Sequence, residues 1–188
     1  MQYAQFREIE TEQLVLRKLR LSDAQVYYER IGSSDAVTRF MLWNPHRELS
    51  ESAASIEKAL RRYEAGRCYR WGAALKTDDS IIGVIELLRF DEERSTCSFA
   101  YMIAEEYWGK GFGTQMLKAA LSFAFDSLKL EAVEADHMAG NEASGAVMRK
   151  AGMVYVGTEK GKYIKNGIRY DAPQYRIDRE MWQNFNQV

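Results

Sequence analysis

A glycine-rich loop in front of a predicted helix is the feature of this sequence that points most directly to chemistry. The segment YWGKGFGTQML, residues 107–117, places Gly109, Gly111 and Gly113 at alternate positions. The first amides of a helix have no partner within the helix and lie at its positive end, and glycines let a phosphate approach them without a Cβ in the way. The loop therefore predicts a phosphate site at a helix N-terminus.

The spacing of the glycines argues against two common phosphate loops. A P-loop requires Ser or Thr directly after its lysine, but Lys110 is followed by Gly111. A dinucleotide fingerprint requires G-x-G-x-x-G after the first strand of a parallel unit, whereas this loop reads G-x-G-x-G and follows a predicted antiparallel meander. A dinucleotide-binding oxidoreductase is therefore the less favoured alternative.

Other candidate residues carry acid-base chemistry. Glu86 lies inside the apolar run IIGVIELL, where a carboxylate needs a partner or a purpose, so it is a candidate general base; the alternative is a solvated residue on the outer face of the sheet. His137 lies near the end of a predicted strand and is a second candidate base, and His46 lies on a loop where packing or solvent exposure is the favoured role. The two histidines are far apart and the two cysteines lack ligand spacing, so we predict no metal site.

Strands and helices must position these residues, and the hydrophobic pattern predicts the order β-α-α-β-β-β-α-β-α-β-β. The predicted strands are 14–19, 71–75, 81–88, 96–103, 132–138, 153–160 and 170–177, and the predicted helices are 22–31, 50–65, 112–128 and 144–151. Hairpins mixed with strand-helix-strand units indicate an α/β fold with a mixed, mostly antiparallel sheet flanked by helices.

Composition limits the class of protein. With 188 residues and 46% hydrophobic composition, the chain predicts a single domain over residues 1–188. The formal net charge of -1 gives no overall attraction to nucleic acid or to an anionic membrane, and no apolar run predicts a membrane span. Cys68 and Cys97 are expected to pack in the core, and the absence of a signal-peptide pattern favours a soluble, cytoplasmic protein.

Two segments carry a resemblance to a known family. AYMIAEEYWGKGFGTQMLKAAL combines a strand, the glycine loop and a helix, and NEASGAVMRKAGM, residues 141–153, fits N-x-x-S-x-x-x-x-x-K-x-G-[FM]. Both resemble signatures of the GCN5-related N-acetyltransferases (GNAT), in the branch similar to ribosomal-protein-alanine (RimJ/RimL-like) acetyltransferases. The resemblance implies a GNAT-like acyl-CoA N-acyltransferase fold, acetyl-CoA as cosubstrate, and acetyl transfer to a primary amine by direct attack in a ternary complex.

The resemblance also implies roles for individual residues. The strand at Tyr101–Ile103 is expected to pair with the pantetheine arm of coenzyme A, Asn141 to hydrogen-bond that arm, and Ser144 to donate to the departing thiolate. Arg149 and Lys150 reach the 3′-phosphate or form a solvated helix face. The expected coenzyme-binding residues are Tyr101, Met102, Ile103, Gly109, Lys110, Gly111, Phe112, Gly113, Thr114, Asn141 and Ser144.

The resemblance leaves the base and the acceptor open. Relatives often carry Glu where this chain has Ser98, so Glu86 is our first replacement, with His137 or a water molecule as alternatives. The expected acceptor is an amine on a small molecule or at a protein N-terminus. The late hairpin around Tyr163, Tyr170 and Asp171 borders this acceptor or forms a homodimer interface. The alternative function is a coenzyme A binding GNAT-like protein with little or no transferase activity.

Overall fold

One eight-stranded sheet organises the computed structural model, which describes residues 4–66 and 68–185. In chain order its strands are β1 (Ile9–Glu10), β2 (Leu14–Arg17), β3 (Tyr69–Leu75), β4 (Ile81–Asp91), β5 (Thr96–Ile103), β6 (Ala132–Asp136), β7 (Val154–Lys165) and β8 (Ile168–Asp178). Their spatial order is β1-β2-β3-β4-β5-β6-β8-β7, and the β5–β6 pair is parallel while the other pairs are antiparallel. The predicted mixed, mostly antiparallel sheet is confirmed.

Helices cover both faces of this sheet. The α-helices are α1 (Ala24–Tyr27), α2 (Asp35–Thr38), α3 (Leu49–Glu64), α4 (Phe112–Ser122), α5 (Glu142–Lys150) and α6 (Arg179–Phe185). On one face Leu117 of α4 belongs to the same buried cluster as Trp71 and Ile85 of the sheet. On the other face Ile56 of α3 packs in a second cluster with Val84. The two apolar layers hold the middle strands rigidly, as a site built on those strands requires.

Several predicted boundaries need correction. The helix predicted over 22–31 is a 3₁₀ turn, the short α1 and a π-helical segment, because the backbone hydrogen bonding changes twice along this stretch. The predicted cap Ser50 lies inside α3, and its hydroxyl donates to the Glu48 carboxylate. The helix predicted from Ser144 begins at Glu142, because the side chain of Asn141 caps it by accepting from the Ser144 amide.

The parallel strands β5 and β6 are paired only over their first residues. Their pairing runs from Thr96 with Ala132 to Ser98 with Glu134 and then ends, although β5 continues to Ile103. On its other edge β5 stays paired with β4 as far as Gly83 and Ile103. The last residues of β5 therefore have no strand partner on the β6 side, and a cleft opens between the two strands.

Among the described residues, none of the helices has both the length and the apolarity to cross a membrane.

Candidate active site

The glycine loop folds as its sequence predicts. Gly109 and Gly111 have φ of 73° and 83°, which β-carbon-bearing residues rarely adopt, and a Cβ built on either one meets no heavy atom within 4 Å. Gly111 is the N-cap of α4 and provides no side-chain cap for the first amides of the helix. Trp108 fastens the loop to the end of β5 by donating Nε1–H to the Ile103 carbonyl at 2.8 Å. The loop therefore leaves open space beside the α4 amides, as a phosphate cradle requires.

A cavity of about 270 Å³ lies where β5 and β6 separate and is lined by residues of both strands. One part of its wall comes from β5, β6 and α5, and the other part comes from the α2–α3 loop (residues 39–48), the end of β4 and β7. The lining residues are Phe40, Met41, Leu42, Trp43, Leu88, Arg89, Ser98, Phe99, Ala100, Tyr101, Met102, Ala135, Asp136, His137, Met138, Asn141, Ser144, Met148 and Tyr163. The cavity thus joins the predicted pantetheine strand to the α2–α3 loop and to Tyr163 of the hairpin predicted to border the acceptor.

Tyr101 and Ser144 meet across the cleft. The Tyr101 hydroxyl donates to Ser144 Oγ at 3.3 Å, and burial raises the pKa of Tyr101, so this phenol stays a neutral donor. Ser144 is 8% exposed, and its hydroxyl hydrogen can turn into the cavity while its oxygen accepts from Tyr101. The sequence predicted a contact of Tyr101 through its backbone but missed this side-chain contact, which joins residues 43 positions apart.

Asp136 is a cavity residue that the sequence reasoning did not select. Its side chain is 13% exposed, it accepts from the Tyr163 hydroxyl, and its other oxygen lies 2.8 Å from Lys162 Nζ. Burial raises the pKa of Tyr163 to about 12, and the hydrogen bond to Asp136 adds to the effect. The position of Asp136 at the end of β6, directly before His137, is the signal that could have found it.

His137 also lines the cavity and is 4% exposed. Its Nδ1 lies 3.0 Å from the Met138 carbonyl, which can only accept, so Nδ1 carries the hydrogen in this contact. Its Nε2 is buried with no hydrogen-bond partner among the described residues. A Cβ added at Gly145 would lie 2.9 Å from Nε2, so the glycine lets α5 approach the imidazole closely.

Glu86 lies apart from these groups. It is not among the residues that line the cavity, and its carboxylate accepts from Arg62 of α3 at 2.5 Å. The side chain is 17% exposed, so the sequence was right that this carboxylate is partly buried and needs a partner. The structure supplies that partner as an ion pair with α3, and the catalytic role of Glu86 stays a prediction.

Lys165, the last residue of β7, holds the α2–α3 loop by hydrogen bonds to its backbone. Its Nζ donates to the carbonyls of Thr38 and Met41 at 2.7 Å each and to that of Trp43 at 3.3 Å. Burial lowers the pKa of Lys165. Within the same loop His46 Nδ1 lies 2.7 Å from Ser52 Oγ, as expected for packing rather than chemistry.

Other predicted residues make structural contacts. Arg149 donates to the Tyr175 hydroxyl at 2.8 Å, which turns its guanidinium toward β8. Asp171 accepts from the Gly161 amide and pairs with Lys160 at 2.8 Å, so it braces the late hairpin. The part of the chain that the structure describes holds no cluster of three or more metal-ligating side chains.

The match to a family decides what kind of enzyme this geometry belongs to. Residues 13–154 match the family model described as "Acetyltransferase (GNAT) domain". The chain belongs to the GNAT acetyltransferase family. One relative is the uncharacterized N-acetyltransferase YoaA of Bacillus subtilis (strain 168). Its sequence is 27% identical to this chain over 92% of this chain and 97% of YoaA. The GNAT protein described here is accordingly an N-acetyltransferase.

Solved structures agree on the fold. A GNAT-family acetyltransferase from Bacillus anthracis superposes with a TM-score of 0.83 at 21% identity, over 93% of this chain and 99% of that one. Spermidine N-acetyltransferase from Vibrio cholerae, in complex with CoA and spermine, gives 0.78 at 21% identity, over 93% and 100%. The resemblance to the GNAT fold inferred from the two sequence signatures is thereby confirmed.

Proposed function

We propose that this GNAT protein transfers an acetyl group from acetyl-CoA to a primary amine. The observation that carries the proposal is the divergence of β5 from β6 after Ser98, directly beside the open glycine loop at the start of α4. A long substrate with a pyrophosphate can lie in that cleft, with its anionic part at the helix N-terminus and its arm along the unpaired edge of β5.

The coenzyme site consists mainly of backbone. The amides at the start of α4 hold the pyrophosphate, and the free edge of Tyr101–Ile103 hydrogen-bonds the pantetheine arm. The Asn141 side chain caps α5 and lies on the cavity wall, within reach of the same arm. The loop and strand residues proposed for this contact are Tyr101, Met102, Ile103, Gly109, Lys110, Gly111, Phe112, Gly113 and Thr114.

The side chains at the inner end of the cleft handle the leaving group. Acetyl-CoA supplies an activated carbonyl, to which the amine nitrogen bonds while the carbon–sulfur bond breaks. The Ser144 hydroxyl donates a hydrogen bond to the developing thiolate. The Tyr101 hydroxyl donates to Ser144 Oγ and holds it in position. A donor that is already oriented costs no reorganisation at the moment of reaction.

The amine must lose a proton as it attacks. Among the cavity-lining residues, His137 offers an unpartnered Nε2, whereas the Asp136 carboxylate is already occupied by Lys162 and Tyr163. These groups compete with Glu86, whose carboxylate is occupied by Arg62, and with water. Homodimer formation, a cytoplasmic location and a single domain over residues 1–188 stay predictions.

Gly111→Glu tests the proposal, with Gly167→Glu as its matched control. Both glycines have positive φ, 83° and 79°, with nothing within 4 Å of an added Cβ, so each substitution costs similar backbone strain, on the order of 1–2 kcal/mol. Only the side chain at position 111 projects toward the proposed pyrophosphate. We expect Gly111→Glu to weaken acetyl-CoA binding by calorimetry by about tenfold or more, and Gly167→Glu to leave it unchanged.

Turnover separates the two candidate functions. The transferase releases free thiol from acetyl-CoA only when an amine is present, and it yields one acetylated amine per thiol. Tight coenzyme binding that Gly111→Glu abolishes, without amine-dependent thiol release across a broad amine panel, would favour the coenzyme A binding protein. Coenzyme binding that is equal in both glutamate variants would remove the glycine loop from the site.

A further inference from the structure

The side of the cavity away from the coenzyme cleft is largely apolar. Phe40, Leu42 and Trp43 of the α2–α3 loop face this space, and Tyr163 of β7 adds an aromatic ring. Lys165 fixes the backbone that carries the first three. A preformed apolar wall of this kind favours an acceptor whose body is itself apolar.

The described residues that line this cavity offer no unpaired carboxylate to a second ammonium group. Asp136 is the one carboxylate among the described residues that line the cavity, and Lys162 Nζ already pairs with it at 2.8 Å. Lys162 is also paired with Glu159 at 2.9 Å, and these hydrogen bonds outweigh burial and raise the pKa of Lys162, so its ammonium stays charged. Arg89 adds a further positive charge to the lining.

We propose that the acceptor is a primary monoamine with an apolar or aromatic body, and that Lys162 excludes amines carrying a second cationic group. The inference rests on the proposed transferase function and names its acceptor class. A second ammonium held in this cavity would be desolvated beside Arg89 without an unpaired carboxylate, because Lys162 already occupies Asp136. Specificity would therefore arise from an unpaired charge imposed on the wrong amine.

A matched pair of acceptors tests this class directly. Hexylamine and hexamethylenediamine share the same chain and differ by one terminal amine. We expect kcat/KM for the diamine, corrected statistically for its equivalent amines, to be lower by at least about tenfold. The kcat/KM for spermidine should be as low as that for the diamine, and the kcat/KM for 2-phenylethylamine should be close to that for hexylamine. A smaller difference between the matched pair overturns the inference.

Variants of Lys162 test whether this residue causes the exclusion of amines with a second cationic group. Lys162→Met frees the Asp136 carboxylate, so the preference for hexylamine over the diamine should shrink at least about threefold. Lys162→Gln provides a polar replacement in case methionine disturbs the fold. Lys160→Met is the control, because Lys160 lies on the same strand and pairs with Asp171 instead. A preference that survives unchanged in both folded Lys162 variants overturns the role of Lys162.

Amine binding without turnover tests the acceptor class independently of the transferase activity. The affinity of each amine for the protein saturated with coenzyme A can be measured by calorimetry without any turnover. If no amine is acetylated but hexylamine binds more tightly than the diamine by the stated margin, the transferase proposal fails and the acceptor class stands. If both amines are acetylated and bound equally well, the transferase stands and the acceptor class fails.

Discussion

Lys165→Met tests whether a single ammonium group holds the acceptor wall of the cavity. Lys165 Nζ donates to three carbonyls of Thr38 and the α2–α3 loop at 2.7, 2.7 and 3.3 Å, and methionine keeps the length of the side chain while removing every donor. The substitution therefore separates the hydrogen bonds from the packing of the stem. Lys160→Met on the same strand is again the control, because its ammonium pairs with Asp171.

The magnitude follows from the geometry of these bonds. A hydrogen bond to a charged group contributes about 1.5–3 kcal/mol, so the two short bonds set an upper limit of roughly 3–6 kcal/mol. Burial lowers the pKa of Lys165, so desolvation of the ammonium offsets part of this gain. A net loss of about 1.5–3 kcal/mol in the stability of the ordered loop corresponds to a factor of roughly 10–160 in its population.

Initial-rate kinetics with hexylamine and acetyl-CoA as the varied substrates measure the consequence. If the ordered loop is only marginally stable in Lys165→Met, the KM for the amine rises by about tenfold or more, while the KM for acetyl-CoA stays the same, because the proposed coenzyme cleft lies between β5 and β6. Circular dichroism and thermal unfolding establish that the variant is folded. An unchanged KM for the amine in a folded variant, or an equal rise in both KM values, would refute the reasoning.

Three further changes probe the chemistry and the loop. Ser144→Ala removes a hydrogen bond to the thiolate and should lower kcat about 10–100-fold with little effect on coenzyme affinity; an unchanged kcat would remove Ser144 from the mechanism. Glu86→Gln should remove the acidic limb of the pH dependence of kcat/KM only if Glu86 is the base; an unchanged limb, as its ion pair with Arg62 favours, would leave His137 or water in that role. Burial lowers the pKa of His46 below its usual 6.5, so the unfolded chain binds the proton first, and stability should fall as the pH drops below about 6.5. His46→Gln should lose this part of the pH dependence of thermal unfolding, and parallel curves for both proteins would contradict it.

Local patterns predicted most of the elements because their causes are local. The Asn166-Gly167 pair forms the β7–β8 turn with φ of 50° and 79°, as the hairpin signal indicates. Leu117 and Leu121 are fully buried, as their helical spacing predicts. The strand ends were less accurate, since β7 runs to Lys165 rather than 160, where pairing with β8 extends it past the alternating pattern.

Local sequence indicates most directly those parts of the candidate site that depend on backbone. The glycine loop and the free edge of β5 follow from a contiguous stretch of sequence, so they could be found without the structure. Asp136 was missed because its partners Lys162 and Tyr163 lie on another strand, about 26 residues later. Nothing in the sequence around IIGVIELL shows that Arg62 lies against Glu86, so the ion pair was not predicted; the catalytic role of Glu86 stays a prediction.

A crystal structure of this protein with coenzyme A bound would show directly whether the glycine loop and the β5–β6 cleft hold the coenzyme. The account predicts that pyrophosphate oxygens lie about 3 Å from backbone amides at the start of α4, from Gly111 to Thr114. It also predicts that the pantetheine arm follows Tyr101–Ile103 and that its sulfur ends beside Ser144. A coenzyme whose pyrophosphate lies away from the α4 amides, or whose arm leaves the cleft between β5 and β6, would contradict the account.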